Sequence, residues 1–184
     1  MSIIGTIDDK VYNLISPHIN PANTSIMIFF SNLGEAVSII AIAIAVMLIL
    51  FIIKNKREPI CIAVNLALIA GINYILKEII RRPRPDILRL IPETGYSFPS
   101  AHAMVSIGFY GFFIYLICKK VKNKAIKYIA SVLLSLLILF IGISRIYLGV
   151  HYATDIIGGW VIGAICLIIF IKYIYNNKKW RRKE

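Results

Sequence analysis

Five apolar runs, each about long enough to cross a bilayer, constrain this chain before anything else. They cover residues 33–53, 60–80, 100–118, 126–143 and 153–175. A hydrocarbon core about 30 Å thick is crossed by roughly 20 helical residues. Inside it every backbone N–H and C=O must find a partner within the protein, which leaves helices or closed barrels. Barrel strands alternate polar and apolar residues, whereas these runs are continuous Ile, Leu, Val and Ala. The expected fold is therefore all-α, a polytopic membrane helical bundle with about five transmembrane helices. A sixth is added if the apolar residues 26–30 belong to a separate helix. The 59% hydrophobic content and mean hydropathy of +0.78 exceed what a soluble surface tolerates. At 184 residues the length suits one domain.

Residues 1–25 read as an N-terminal interfacial segment. Within it, 8–16 (DDKVYNLIS) carries apolar residues at 11, 14 and 15, a helical spacing that Pro17 and Pro21 end. A short amphipathic helix lying at the membrane surface is expected there. His18 reads as a solvated loop histidine. No short apolar stretch near the start leads to a small-residue cleavage site, so no cleavable signal peptide is expected. Residues 26–175 form the membrane-embedded domain, with Glu35 near one interface. Residues 176–184 form a basic tail.

The net charge of +12 does not point to nucleic acid. The basic residues sit in short clusters between apolar runs, as loops beside anionic lipid heads do; a nucleic-acid binder needs a continuous basic face. Cys61, Cys118 and Cys166 lie in or beside apolar runs without metal-ligand spacing and read as core filler. With five spans, the loops at 54–58 and 119–127 and the tail share one side. All are basic, so that side is the cytoplasm.

Two polar islands break the oil. One runs from 77 to 102 (KEIIRRPRPDILRLIPETGYSFPSAH), the other from 144 to 155 (SRIYLGVHYATD). Both fall on the side opposite the basic loops, and the first is itself basic against the topological rule. Cations kept there suit the holding of an anion. Lys77, Arg84 and Arg145 around one point fit a phosphate, because Arg engages two oxygens at once and Lys adds a point charge. Taken singly, each also reads as an ordinary interfacial cation, and Arg81, Arg82 and Arg89 are left as lipid-head or loop contacts. Pro83 and Pro85 end the second span. Ser100 can cap the third helix, whose first N–H groups add donors at a positive end.

His151 and Asp155 are four apart and share a face if the fifth helix begins near His151. Asp155 can then orient the ring and leave the other nitrogen's lone pair free. Such an imidazole is a nucleophile for phosphorus, and His102 can protonate a leaving oxygen. Two histidines and an aspartate can also hold a metal, although three fixed cations around them would repel one. Gly159 and Gly163 have the spacing of a close helix–helix contact.

In series, these pieces read Lys77, six residues, Arg84-Pro85; then Pro99-Ser100-Ala101-His102; then Ser144-Arg145, five residues, His151, three residues, Asp155. The order and spacing resemble the three-part signature of the type 2 phosphatidic acid phosphatase superfamily, the lipid phosphate phosphatases. Ala101 stands where the family usually has glycine. The resemblance covers roughly residues 73–163. It implies His151 as nucleophile forming a phosphohistidine, Asp155 as its orienting acid and His102 as general acid and then base. It implies Lys77, Arg84, Ser100, Ala101 and Arg145 as the phosphate site, without metal or cofactor. The active site would face the extracytoplasmic side. The tyrosine-bearing stretches around the second and third motifs resemble the bacterial phosphatidylglycerophosphatase B and undecaprenyl-diphosphatase type. The expected activity is hydrolysis of a lipid phosphate or pyrophosphate: undecaprenyl pyrophosphate, phosphatidylglycerophosphate or phosphatidic acid. A non-enzymatic phospholipid-binding or transporting protein, and a sugar phosphatase of the same superfamily, are the alternatives.

Overall fold

The computed structural model describes residues 3–177, so most of the basic tail lies outside the described residues. The helices are α1 (Ile3–Ile15), α2 (Pro21–Leu33), α3 (Ala36–Ile52), α4 (Arg57–Ile80), α5 (Ala101–Lys120), α6 (Lys124–Tyr147) and α7 (Ala153–Ile169), which continues through a π-helical stretch, Phe170–Tyr175. No strand occurs among the described residues. Helices α4, α5, α6 and α7 with its π-helical extension are each long and apolar enough to cross a membrane. The α2–α3 pair, bent by 53°, makes a fifth span. The first apolar stretch is thus two helices broken at Gly34-Glu35, and the domain boundary placed at residue 25 falls inside α2.

Helix packing in a membrane rests on close approach rather than on expulsion of water. Helix α5 is central, packed on α4, α6 and α7. A Cβ on Gly159 would meet the Ser100 carbonyl at 2.9 Å, and one on Gly163 the Met104 carbonyl at 2.7 Å. The paired glycines therefore let α7 lie directly against the α5 backbone. Helix α4 turns one stripe inward: Glu58, Cys61, Ile62, Asn65, Ile69 and Asn73. The two asparagines that interrupt its oil donate to α5 and its entry, Asn65 to the Gly108 carbonyl at 2.7 Å and Asn73 to the Pro99 carbonyl at 3.1 Å. At the opposite end of the bundle from the polar islands, Glu58 is held by Lys120 and by the Tyr175 hydroxyl.

At the polar islands one helix boundary differs from the sequence reading, and one condition posed there is not met although the fifth span starts where expected. Helix α6 runs on to Tyr147, so Ser144 and Arg145 belong to its last turns and not to a loop. There the cation also complements the negative end of the helix dipole. Helix α7 begins at Ala153, so His151 stands before it and not on it. A tight corner holds His151 instead: the Arg145 carbonyl accepts from the N–H groups of Val150 and His151, and Leu90 N–H donates to Leu148 O at 3.0 Å. Gly149 makes the turn at φ +71°, where a Cβ would sit 2.2 Å from the Leu88 carbonyl. Helix α1 is amphipathic as expected, but only part of its apolar side is covered by protein, and Ile4, Ile7 and Leu14 stay exposed. Val11 and Ile15 pack on Ala103, Ile146, Ala153 and Ile156.

Candidate active site

The polar islands converge on a cavity of about 500 Å³. Its polar end is formed by Lys77, Arg84, Glu93, Ala101, His102 and His151. Its other wall is apolar, with Ile39 and Ile40 of α3, Leu66, Ala67 and Ala70 of α4, and Val105 of α5.

His151 is 3% exposed. Its Nδ1 lies 3.3 Å from Asp155 Oδ2. A carboxylate can only accept, so Nδ1 carries the proton and Nε2 keeps the lone pair. Nε2 receives Arg84 Nη1 at 3.2 Å. Burial pushes the ring's pKa down to about 4, with the Asp155 hydrogen bond working the other way. The ring is thus neutral near pH 7, the state in which a nitrogen lone pair can attack. Asp155 is fully buried. Its Oδ2 also accepts from Tyr152 N–H at 2.9 Å and from the Ser97 hydroxyl.

Arg84 follows Pro83 in extended chain and is pinned by backbone carbonyls, those of Thr94, Gly95 and Val150. Arg145, 1% exposed, donates to Ser31 Oγ at 2.7 Å and to Glu93. Glu93 lies 3.5 Å from Arg84 Nη2 as well. Burial pushes the Glu93 carboxyl up, but Arg145 and then Arg84 outweigh it and leave the group below the usual carboxylate range. Two of the three expected cations therefore already hold an anion in common. Lys77, in the last turn of α4, donates to the Tyr96 carbonyl. Ser100 is fully buried; its hydroxyl caps α5 by accepting from Ala103 N–H at 3.4 Å, and Ala101 takes the place on the cavity wall. His102 joins the cavity from the first turn of α5, with Nε2 3.0 Å from Glu35 Oε2 at the α2–α3 break.

Several neighbours escaped the sequence reading. Glu35, Glu93 and Ser97 sit outside the motifs and meet the site only through tertiary packing. Arg82, read as a loop or lipid-head contact, is a correction: its Nη1 is 2.6 Å from Asp155 Oδ1 and its Nη2 2.7 Å from Asp8 Oδ2. A signal for it existed. Prolines at 83 and 85 force extended chain, in which residues two apart share a side, so Arg82 and Arg84 go together toward the His151–Asp155 pair. Arg81 and Arg89 do stay local, on Glu78 and on the Pro85 carbonyl.

Comparison with known proteins agrees with this geometry. The family model described as "PAP2 superfamily" matches residues 58–179. Phosphatidylglycerophosphatase B of Bacillus subtilis is 36% identical over 116 residues, covering 61% of this chain and 56% of its own. Lipid phosphate phosphatase delta of Arabidopsis thaliana is 28% identical over 56% of this chain and 29% of its own. The aligned region thus spans about half or less of these relatives' length. Undecaprenyl-diphosphatase of Sulfolobus acidocaldarius is 26% identical over 84% of this chain and 72% of its own. Among solved structures, the transmembrane PAP2-type phosphatidylglycerolphosphate phosphatase from Bacillus subtilis shares the fold with a TM-score of 0.89 at 23% identity, over 97% of this chain and 90% of that one. Aquifex aeolicus LpxE matches with a TM-score of 0.69 at 26% identity, over 89% and 94%. Three motifs in order, their meeting at one cavity and the family match from 58 to 179 lead to one conclusion: this chain is a multi-pass membrane protein of the PAP2 superfamily.

Proposed function

We propose that this protein is an integral membrane lipid phosphatase that works through a phosphohistidine on His151. The observation that carries the reading is the two-sided cavity. A neutral imidazole and a cluster of cations stand at one end, and the apolar wall of Ile39, Ile40, Leu66, Ala67, Ala70 and Val105 runs away from them. A soluble sugar phosphate has no use for that wall; a lipid chain does.

The lone pair of Nε2 attacks phosphorus and the bond to the leaving oxygen breaks. His102 gives that oxygen its proton. The imidazole gains positive charge as the P–N bond forms, and Asp155 on Nδ1–H stabilises it. Lys77, Arg84 and Arg145 hold the phosphoryl oxygens, with the start of α5 at Ser100 and Ala101 adding backbone donors. Water then attacks phosphorus and gives its proton to His102. Orthophosphate leaves and the lone pair returns to Nε2. The substrate is an undecaprenyl pyrophosphate, a phosphatidylglycerophosphate or a phosphatidic acid; the names of the relatives support this class. The basic loops at 54–58 and 119–127 support an extracytoplasmic active site and a cytoplasmic C-terminus.

The test is phosphate release from each of the three lipids by detergent-purified protein with excess chelator, wild type beside His151→Ala. Release that vanishes in the variant is expected. Release that survives it removes the nucleophile assignment. Absence of release from all three favours a non-enzymatic phospholipid carrier.

A further inference from the structure

Asp8 is a polar residue that the reaction above does not use. It is 4% exposed, although it belongs to a helix expected at a membrane surface. Its Oδ1 accepts from Thr154 N–H at 2.9 Å and from the Thr154 hydroxyl at 2.9 Å. Its Oδ2 accepts from Arg82 Nη2 at 2.7 Å. The same guanidinium donates through Nη1 to Asp155 Oδ1 at 2.6 Å and lies over the Tyr152 ring, 4.0 Å from its centroid. Asp155 in turn holds His151. Three charges of alternating sign, Asp8, Arg82 and Asp155, therefore lead in a row to the neutral ring of His151.

We propose that Asp8 and Arg82 are positioning residues that set the proton affinity and orientation of His151 through Asp155. The proposal rests on the reading of His151 as nucleophile. Asp155 alone would be a fully buried carboxylate, costly unless paired. Arg82 pairs it on the edge away from the ring, which fixes the carboxylate plane and keeps Oδ2 for Nδ1–H. A bare arginine there would also draw charge out of Asp155 and weaken what it lends the imidazole. Asp8 balances the arginine from behind, so Asp155 retains its basicity toward His151. An alternative role, a plain staple holding α1 to α7, uses the same contacts but makes no demand on charge.

The two roles separate by sign. Asp8→Asn leaves Arg82 uncompensated, so the imidazolium is less favoured and His151 titrates lower. Arg82→Gln leaves Asp155 unneutralised, so the imidazolium is more favoured and His151 titrates higher. Other charged or titratable groups around the ring or its partners remain in place in both variants: Asp155 of α7, Arg145 of α6, Arg84 and Glu93 of the α4–α5 segment, Lys77 of α4, His102 of α5, Tyr152 against Arg82, and Asp86, whose charge reaches Tyr152.

The experiment is ring-nitrogen NMR titration of His151 in detergent-solubilised full-length protein, with kcat and KM measured on the same samples. The chain has three histidines, so His18→Gln and His102→Gln assign the signals. Expected are shifts of opposite sign, each about one pH unit or tenfold in proton affinity. In Asp8→Asn, kcat should fall about tenfold, roughly 1.4 kcal/mol of barrier, with KM nearly unchanged. Arg82→Lys should recover most of the wild-type titration. Titrations that stay put, or that move in the same direction, overturn the proposal and leave a staple. Because the titration needs no turnover, an inactive wild type would refute the phosphatase reading without deciding this one. Should Asp8→Asn lose its fold, Arg82→Gln beside Arg82→Lys carries the test: the first should titrate higher and the second near wild type, and an unmoved Arg82→Gln overturns the proposal.

Discussion

The carboxylate of Glu93 sits where the arginines of the site would meet a phosphoryl group, and replacing it by glutamine should tighten the binding of tetrahedral anions. Glu93 engages Arg145 directly and lies 3.5 Å from Arg84 Nη2. An incoming phosphate must share these cations with a fixed negative charge or displace it. A hydrogen bond between charged groups contributes about 1.5–3 kcal/mol. The Glu93 side chain is 27% exposed, so solvent screening argues for the low end, about 1.5 kcal/mol or roughly tenfold in a dissociation constant. Glu93→Gln keeps the size and removes the charge. The assay is inhibition by orthovanadate or orthophosphate at pH 7, wild type beside variant. The inhibition constant should fall about tenfold in the variant. Because the arginines hold the Glu93 carboxyl below the usual range, the gap should persist throughout the neutral and mildly acid range and close only once that carboxyl protonates. An inhibition constant that is unchanged, or that rises, refutes the idea that Glu93 competes for the site.

Two further outcomes follow from the geometry. In the proposed mechanism His151 attacks as the neutral ring, and burial lowers its pKa to about 4; a group so depressed would lose its reactive form only as pH falls through that value. The acid limb of kcat/KM should therefore lie near pH 4, and a limb near the ordinary histidine value of about 6.5 would show the ring to be more solvated than it is in this fold. Gly163→Val should lower the melting temperature, because its Cβ would meet the Met104 carbonyl at 2.7 Å and overpacking costs about 1–3 kcal/mol; a melting temperature at or above wild type would mean that α5 and α7 can part without loss.

What the sequence made legible was whatever is written locally. Continuous oil named the spans, Pro83 and Pro85 ended α4, Gly159 and Gly163 marked the α5–α7 contact, and the spacing picked out Lys77, Arg84, His102 and His151, which line one cavity, with Asp155 and Arg145 standing behind that lining on His151 and Glu93. What stayed hidden was pairing at long range. Nothing near Glu35 announces His102, 67 positions away, and nothing near Asp8 announces Arg82, 74 positions away. A helix end also stays hidden where polar residues resemble a break. Ser144 and Arg145 look like loop in composition, yet a helix end buried against α2 and the α4–α5 segment holds them without strain. An amphipathic pattern such as that of α1 says which side is apolar but not whether lipid or protein covers it.

The contact between Asp8 and Thr154, 146 positions apart, bears on how the molecule is assembled. Contacts of such separation form late, because their loop-closure entropy must be met before they stabilise anything. Until α1 docks against the start of α7, Asp155 lacks the counter-charge network behind Arg82. A chain whose final helix has entered the membrane but whose N-terminal helix is still free would have its spans in place and its centre unfinished. Competence of the centre then reports on threading of the entire bundle, and early inserted forms would be silent toward phosphoesters in the membrane that is still receiving them.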